Sequence, residues 1–417
     1  MPDLDVLFIG GVIPRDGDRT PVDLTRYGVP DNAANVYQWN MITGLERNLG
    51  RSVRIVSVPF LSPAARVGDP LRIPGFAWAH AGGADDVSVG FVNAFGLRNI
   101  TRELALRRQL RRALAGPRPP GRGRLLLVVY AMHGPFLQQL AMVKRERPDS
   151  EVCLVVPDLP EHMRDPARTS LVVRLLKRVD IWRNQACLAH VDRYVLVSSH
   201  QAQALGISDD RFVVVEGMVD PRAAEGGQPE SAPDPAPSEF TVVYTGRLDH
   251  RYGLGDLVDA LDHVGSPDLR LVLCGDGDAV RHIRARADRD PRIVHLGQVS
   301  HEISVALQRR ADLLINPRPG TADFTRYSFP SKNLEYLLTG KPVLAYPNEG
   351  TPPEYDDHLI YIPEPGPQGI ASAIESVMAM PDAERRSRGE RGRRFAESSK
   401  SVEGQMRKVL TLVGGDR

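Results

Sequence analysis

Short apolar runs alternate with helical patterns from one end of this chain to the other, and that alternation constrains the fold more than any other feature. In the first half, apolar runs predict strands near 4 to 9, 52 to 58, 124 to 129, 151 to 156, 193 to 198 and 211 to 215. Helices are expected between them at about 33 to 48, 99 to 114, 135 to 146 and 166 to 190. Residues 221 to 238 are rich in Pro, Gly, Ala and Ser with no periodic apolar pattern, which reads as a linker. A second series follows, with strands near 240 to 245, 270 to 274, 293 to 296, 312 to 316, 342 to 346 and 359 to 363. At 417 residues the chain is long enough for two domains, each with its own core. The expectation is therefore an α/β protein with a first domain over 1–220, a linker over 221–238 and a second domain over 239–382. Two parallel sheets of this kind bind ligands at the carboxyl ends of their strands, where a central cleft is expected.

Charge and cysteine content narrow the function classes. The net charge is +1 and the pI about 7.8, so nothing favours bulk nucleic-acid binding. Cys153, Cys187 and Cys274 are widely spaced, which disfavours a disulfide scaffold or a zinc site and suits a reducing, cytoplasmic compartment. The amino terminus has no basic region before its short apolar run, and no stretch of about 18 apolar residues occurs. Charge is uneven locally: residues 91 to 190 carry 18 Lys or Arg against 8 Asp or Glu. Arg102, Arg107, Arg108, Arg111 and Arg112 fall on one expected helix. Such a face is either simply solvated or rests on an anionic leaflet as a peripheral contact on the inner face of a plasma membrane.

The stretch Tyr327 to Pro342 carries the densest local signal. A Pro-Ser-Lys turn opens a short helix, and Gly340 with Pro342 closes it before an apolar strand. The N–H groups of Ser331, Lys332 and Asn333 and the charge of Lys332 suit a diphosphate. Glu335 lies about 6 Å further along the axis, roughly the span from a diphosphate to a ribose diol, and a carboxylate accepts hydrogen bonds from two hydroxyls. An ordinary capped helix with a solvated Glu fits the same residues.

Other candidates stand at expected strand ends. Gly246 and Arg247 follow the first strand of the second domain, where glycine admits a phosphate and the guanidinium can bind two of its oxygens. Gly10 and Gly11 hold the equivalent place in the first domain. Neither they nor Gly275-Asp276-Gly277 complete a dinucleotide fingerprint, which disfavours an oxidoreductase. His133 follows the strand ending at Tyr130, and Asp158, Glu161 and His162 follow the strand ending at Val156. The acidic pair is either an acceptor-side base or a helix cap. The polar segment from Arg15 to Asp31, next to Asn32, is long enough to be an acceptor loop. His, Cys, Asp and Glu are not grouped as metal ligands, so no metal and no cofactor are expected.

These segments, taken in order, resemble a family-4 retaining glycosyltransferase of the GT-B fold, in particular its bacterial exopolysaccharide and capsule branch. The resemblance runs through Asp31-Asn32-Ala33-Ala34-Asn35, Gly44-Leu45-Glu46, Val156 to Glu161, Glu216 to Asp220, Tyr244 to Leu248, Tyr252-Gly253, Ala311 to Arg318, Tyr327 to Glu335 and Gly350 to Tyr355. It implies two Rossmann-like domains, with a final helix of about 383 to 413 returning to the first. It further implies that Gly246, Arg247, Lys332, Ser331 and Asn333 hold the donor diphosphate, that Glu335 binds the nucleotide ribose, and that His133 contacts the donor sugar, with Gly11 on the donor side. Asp31, Asn32, Asp158 and Glu161 fall on the acceptor side. Two positions depart from the pattern. Tyr327 stands at the donor-site position where the family has a glutamate that touches the sugar, and Tyr252 stands where it has a phosphate-binding lysine, leaving Arg251 or Lys332 to supply that charge. The implied activity is transfer of a sugar from a nucleotide-diphosphate sugar to a glycan, lipid-linked or small-molecule acceptor. A soluble metabolite acceptor, or a binding protein without turnover, are the other readings.

Overall fold

The computed structural model describes residues 4–15, 18, 20–27, 32–61, 70–94, 96–115, 123–159, 181–224, 240–320 and 325–415. The chain divides into two compact units, one of Met1–Val215 with Val402–Arg417 and one of Glu216–Ser401. The crossover after Val215 precedes the expected linker, because Glu216 to Asp220 already pack in the second unit. Pro221–Ala224 form one helical turn, and the rest of the expected linker lies outside the described residues.

The first unit is built on β1 (Asp5–Gly10), β2 (Arg54–Ser57), β3 (Arg72–Ile73), β4 (Phe76–Trp78), β5 (Asp86–Ser88), β6 (Phe91–Val92), β7 (Leu125–Tyr130), β8 (Glu151–Val156), β9 (Arg193–Leu196) and β10 (Phe212–Val214). Eight of these form one sheet in the order β10-β9-β8-β7-β1-β2-β5-β4, parallel except for the antiparallel β4 edge. Every residue of β7 and β8 is buried, as a parallel strand covered on both faces must be. Each such Leu or Val contributes roughly 1.5–3 kcal/mol of transfer free energy. β1 pairs with β2 on one side and β7 on the other, so the direction of winding reverses beside β1. Helix Asn32–Leu49 packs on helix Val402–Gly414. A Cβ on Gly44 would lie 2.3 Å from the Val402 carbonyl, so glycine there sets how closely the two helices approach.

The second unit has six parallel strands, β11 (Phe240–Thr245), β12 (Leu269–Cys274), β13 (Ile293–Gly297), β14 (Leu313–Asn316), β15 (Val343–Ala345) and β16 (Ile360–Tyr361), in the order β13-β12-β11-β14-β15-β16. Apolar clusters fill both faces: Val242, Leu271 and Ile315 belong to one, Val243, Leu314 and Tyr336 to the other. Winding reverses between β11 and β14, which places that unit's ligand crevice beyond Thr245 and Asn316.

The helix expected over 383 to 413 is two helices. Asp382–Ser399 belongs to the second unit and packs on helix Lys332–Leu338, and only Val402–Gly414 joins the first. The break falls at Lys400, whose side chain is fully buried with Glu216 and Glu354 as ion-pair partners. The polar Asp382–Ser399 helix needs no broad apolar stripe, because Gly389 and Gly392 bring its backbone close: a Cβ on Gly389 would lie 2.0 Å from the Gly340 carbonyl.

Candidate active site

In the second unit the site is assembled around Gly246. Its φ of +128° is available only to glycine, and a Cβ there would lie 2.0 Å from Lys332 Nζ and 2.4 Å from Cε. The Lys332 side chain therefore crosses the bare Cα at the end of β11. Its ammonium lies 5.7 Å from the centre of the Tyr244 ring and has no hydrogen-bond acceptor among the described residues. Burial pushes its pKa below the usual lysine value, and the charge of Glu335 opposes that shift.

Arg247 is exposed, but one edge of it is fixed. Its Nε donates to Asp249 Oδ2 at 2.6 Å, and the Asp249 side chain is 5% exposed. The two terminal nitrogens of Arg247 have no partner among the described residues. The hydrogen bond and charge of Asp249 raise the pKa of this guanidinium above its ordinary value. Arg251 Nε lies 3.6 Å from the same carboxylate, and its guanidinium stacks 4.7 Å from the Tyr252 ring centre. Arg318, at the end of β14, approaches that ring at 5.8 Å and donates to Ser328 Oγ at 2.7 Å. Tyr252 thus holds two guanidinium groups in the place where the resembling family has an ammonium.

Glu335 is reached from below by Gln308, whose Nε2 donates to its Oε1 at 2.7 Å and to Thr245 Oγ1 at 2.8 Å. Gln308 is fully buried, so the carboxylate is fixed in direction by the core. Ser331 is exposed and caps the helix without a side-chain bond. Asn333 corrects an expectation. Its N–H already donates to the Pro330 carbonyl at 2.9 Å, and its buried Oδ1 accepts from Asn316 Nδ2 at 2.7 Å. It ties the helix to β14, and its backbone N–H is not free for a phosphate, because the turn before Lys332 closes as soon as Pro330 is passed. Tyr327 is half-buried in the Thr325–Tyr327 turn.

In the first unit Gly11 has its backbone donor already engaged. Its N–H donates to Gln38 Oε1 at 2.8 Å, and a Cβ on it would lie 2.1 Å from the Phe60 ring. Glycine is required there by packing, and the residue is buried. His133 follows β7 and Ala131, which has φ +82°, the one positive φ outside glycine among the described residues. Its ring meets Phe60 and Phe136 edge-on at 5.8 and 5.0 Å. Burial, with the charges of Arg102 and Arg98, lowers its pKa to about 3, so the imidazole is neutral. Asp158 is half-buried just after β8. Asp31 and Glu161 lie outside the described residues, as does the side chain of Asn32.

Sequence reasoning missed Asp249 and Gln308, the buried groups that aim Arg247 and Glu335. The one available signal was position, since Asp249 follows Gly246-Arg247-Leu248 directly. It also put Arg102 on a solvated or lipid-facing stripe, whereas Arg102 is 2% exposed. Among the described residues no three His, Cys, Asp or Glu side chains gather as metal ligands.

Residues 239–380 match a family model described as "Glycosyl transferases group 1". No curated protein matches the chain. Among solved structures, sucrose-phosphate synthase from Thermosynechococcus elongatus is similar at 18% identity and TM-score 0.64, covering 98% of this chain and 98% of that one. HepE from Anabaena, in complex with UDP and glucose, is similar at 14% identity and TM-score 0.60, covering 99% and 100%. WaaG, a glycosyltransferase involved in lipopolysaccharide biosynthesis, is similar at 14% identity and TM-score 0.60, covering 99% and 100%. At such identities the likeness speaks for the fold. The chain thus has the GT-B fold, and its residues 239–380 match the glycosyl transferases group 1 family.

Proposed function

We propose that this protein is a retaining glycosyltransferase that moves a sugar from a nucleotide-diphosphate sugar to an acceptor hydroxyl in envelope polysaccharide or glycolipid assembly. One observation carries the reading: the Lys332 ammonium, with no acceptor of its own, lies in the notch of Gly246 next to an Arg247 whose terminal nitrogens are free. Two cations without hydrogen-bonded anions on their open side, at the carboxyl end of the strand where winding reverses, suit a diphosphate. The helix that follows spans only seven residues, so its dipole adds little and the two side chains supply the charge. That makes a metal-independent reaction the natural one. Glu335, aimed by Gln308, is then the acceptor for the ribose hydroxyls.

In the mechanism that the family resemblance suggests, the acceptor attacks on the face from which the diphosphate leaves. The departing phosphate takes the acceptor proton, while Arg247 and Lys332 stabilise the charge that grows on it. The group 1 match over 239–380, and the UDP and glucose held by HepE, support a nucleotide-sugar donor. WaaG's involvement in lipopolysaccharide biosynthesis is in keeping with an envelope acceptor.

A peripheral contact with an anionic membrane is part of the proposal. On helix Arg98–Ala115, Ile100 and Leu104 are 56% and 62% exposed, and Arg108 and Arg112 continue the same stripe. The test of the transferase reading is a thermal-shift screen of UDP, GDP, TDP and CDP, followed by transfer assays with sugars of the nucleotide that stabilises. A ligand at 100 times its dissociation constant adds about 2.7 kcal/mol. No shift with any nucleotide and no sugar released would overturn it.

A further inference from the structure

Helix Arg98–Ala115 turns Arg102 inward, toward the place in the first unit where the winding of the sheet reverses, with the half-buried Arg98 one turn before it. Arg102 is 2% exposed and its guanidinium lies 4.1 Å from the Phe91 ring centre. Its Nη2 donates to the Pro59 carbonyl at 3.2 Å, its Nη1 is 3.5 Å from His133 Nε2, and its Nε is buried with no partner. Arg98, one turn earlier, donates from Nη2 to the Leu61 carbonyl at 2.6 Å, and its Nε is likewise buried and unpartnered. Among the described residues no carboxylate pairs with either group. Burial and the charge of Arg98 lower the pKa of Arg102 to about 9.

A buried guanidinium beside a half-buried one, with no anion among the described residues, destabilises the unit that holds them. Clamping two loop carbonyls does not by itself call for a charge, since a neutral amide can donate to a carbonyl, though more weakly, without the cost of burying a cation. What a guanidinium adds is charge and a planar pair of donors, the features that recognise a carboxylate or phosphate. Their position fits: Pro59 and Leu61 follow β2, His133 follows β7, and both loops flank the end of β1. The neutral imidazole faces Arg102 with Nε2 and so has its other nitrogen protonated as a donor.

We infer that Arg98, Arg102 and His133 form a site for an oxyanion, a carboxylate or phosphate borne by one of the two sugars in the reaction. This rests on the transferase reading above for the word sugar, and on Arg98, Arg102 and His133 alone for the site. It narrows the substrate class from any hexose to an acidic one, a uronate or a sugar phosphate.

The test follows the His133 ring resonances of the full-length, nitrogen-15-labelled protein. The probes are inorganic phosphate, glucuronate and glucose 6-phosphate, with glucose as the neutral control. The oxyanion probes should move the His133 signals and glucose should not. Arg98→Gln should weaken that response at least tenfold, and Arg247→Ala should leave it unchanged. Because Arg102→Met removes a buried side chain, Arg98→Gln is the deciding variant. Sources separate in a second arm: a uronate donor should bind at least tenfold tighter than its neutral counterpart, or a 6-phosphorylated acceptor should have a kcat/KM at least tenfold higher than its neutral form. His133 signals unmoved by all three probes, a response equal in Arg98→Gln, or no preference for either acidic sugar would overturn the inference. A response at His133 in a protein that binds no nucleotide would instead overturn the transferase reading and leave the site standing.

Discussion

Lys332 and Gly246 are fitted to each other: the lysine side chain occupies the space that any Cβ at position 246 would fill. Gly246→Ala is therefore two changes at once, a strained φ near +128° and a displaced ammonium. The variant should bind nucleoside diphosphate on the order of tenfold more weakly, as loss of a charged contact does. Lys332→Met should reproduce most of that loss without the backbone strain. Calorimetric titration of both variants with the stabilising nucleotide checks this, and an unchanged affinity in Lys332→Met would remove the lysine from the diphosphate site.

Arg247 and Glu335 should separate in kinetics. Glu335 would hold the ribose equally in ground and transition states, so Glu335→Ala should weaken donor binding by about 1.5–3 kcal/mol with little effect on kcat. Arg247 would face growing charge, so Arg247→Ala should lower kcat on the order of a hundredfold with donor saturating. Asp249→Asn keeps the shape but loosens the anchor at Arg247 Nε, and should give a smaller loss in kcat. Saturation kinetics on the three variants decide it: a change confined to KM in Arg247→Ala would misplace the diphosphate.

The six strands expected in each domain are all found, and the central ones were legible because their apolar runs are buried on both faces. The segment from Arg72 to Val92 was not, since its strands are two or three residues long, too short for a period of two to be read. The helix Asp382–Ser399 was merged with its successor because half of its buried residues are glycine, Gly389 and Gly392, which leaves little apolar period to read. In the site, the residues that would touch a ligand were named from motifs. Those that aim them, Asp249 and Gln308, were not, because a buried carboxylate or amide has no local signature until the chain has folded around it. Arg102 shows the reverse error: five arginines on one helix suggested one face, and a period of 3.6 turns one of them inward.

The motifs Glu216 to Asp220 and Gly350 to Tyr355 meet at one buried cation. Lys400 Nζ contacts Glu216 and Glu354, Tyr355 donates to Glu216 Oε1 at 2.8 Å, and Val219 N–H donates to the Lys400 carbonyl at 2.9 Å. Lys400→Ala would strand the nearly buried Glu216 carboxylate and should cost about 3–5 kcal/mol. Adding Glu216→Gln should recover part of that loss, because the orphaned charge is gone. Denaturant unfolding of the single and double variants measures the coupling, and strictly additive losses would show that the pair contributes nothing as a unit.

The exposed stripe of helix Arg98–Ala115 predicts a two-part membrane affinity. Arg108 and Arg112 are exposed and would attract anionic lipid, at about 1 kcal/mol per residue and weakening with salt, whereas the exposed Ile100 and Leu104 would add a part that salt does not screen. Ile100→Ser with Leu104→Ser should lower vesicle binding at high salt, and Arg108→Gln with Arg112→Gln should lower it at low salt. Cosedimentation with neutral and phosphatidylserine-containing vesicles tests both, and equal retention of all forms on neutral lipid would refute the contact.

His80 should make the first unit's stability depend on pH in a defined window. Its ring is 1% exposed between Asp86 Oδ2 at 2.6 Å and Glu46 Oε1 at 2.7 Å. Burial alone would lower its pKa, but the hydrogen bonds and charges of Asp86 and Glu46 overcome this and raise it from 6.5 to about 9. A raised folded-state pKa means the imidazolium stabilises the fold fully below about 6.5, and the contribution declines as pH rises through about 9. Allowing for screening at Glu46, the effect should be on the order of 2 kcal/mol. His80→Gln should therefore lower the melting temperature at pH 6 by several degrees, and the gap to the parent should close by pH 10. A gap that is constant across that range would mean that His80 acts by packing against Trp39 and Trp78, 5.5 and 6.2 Å away, and not by its charge.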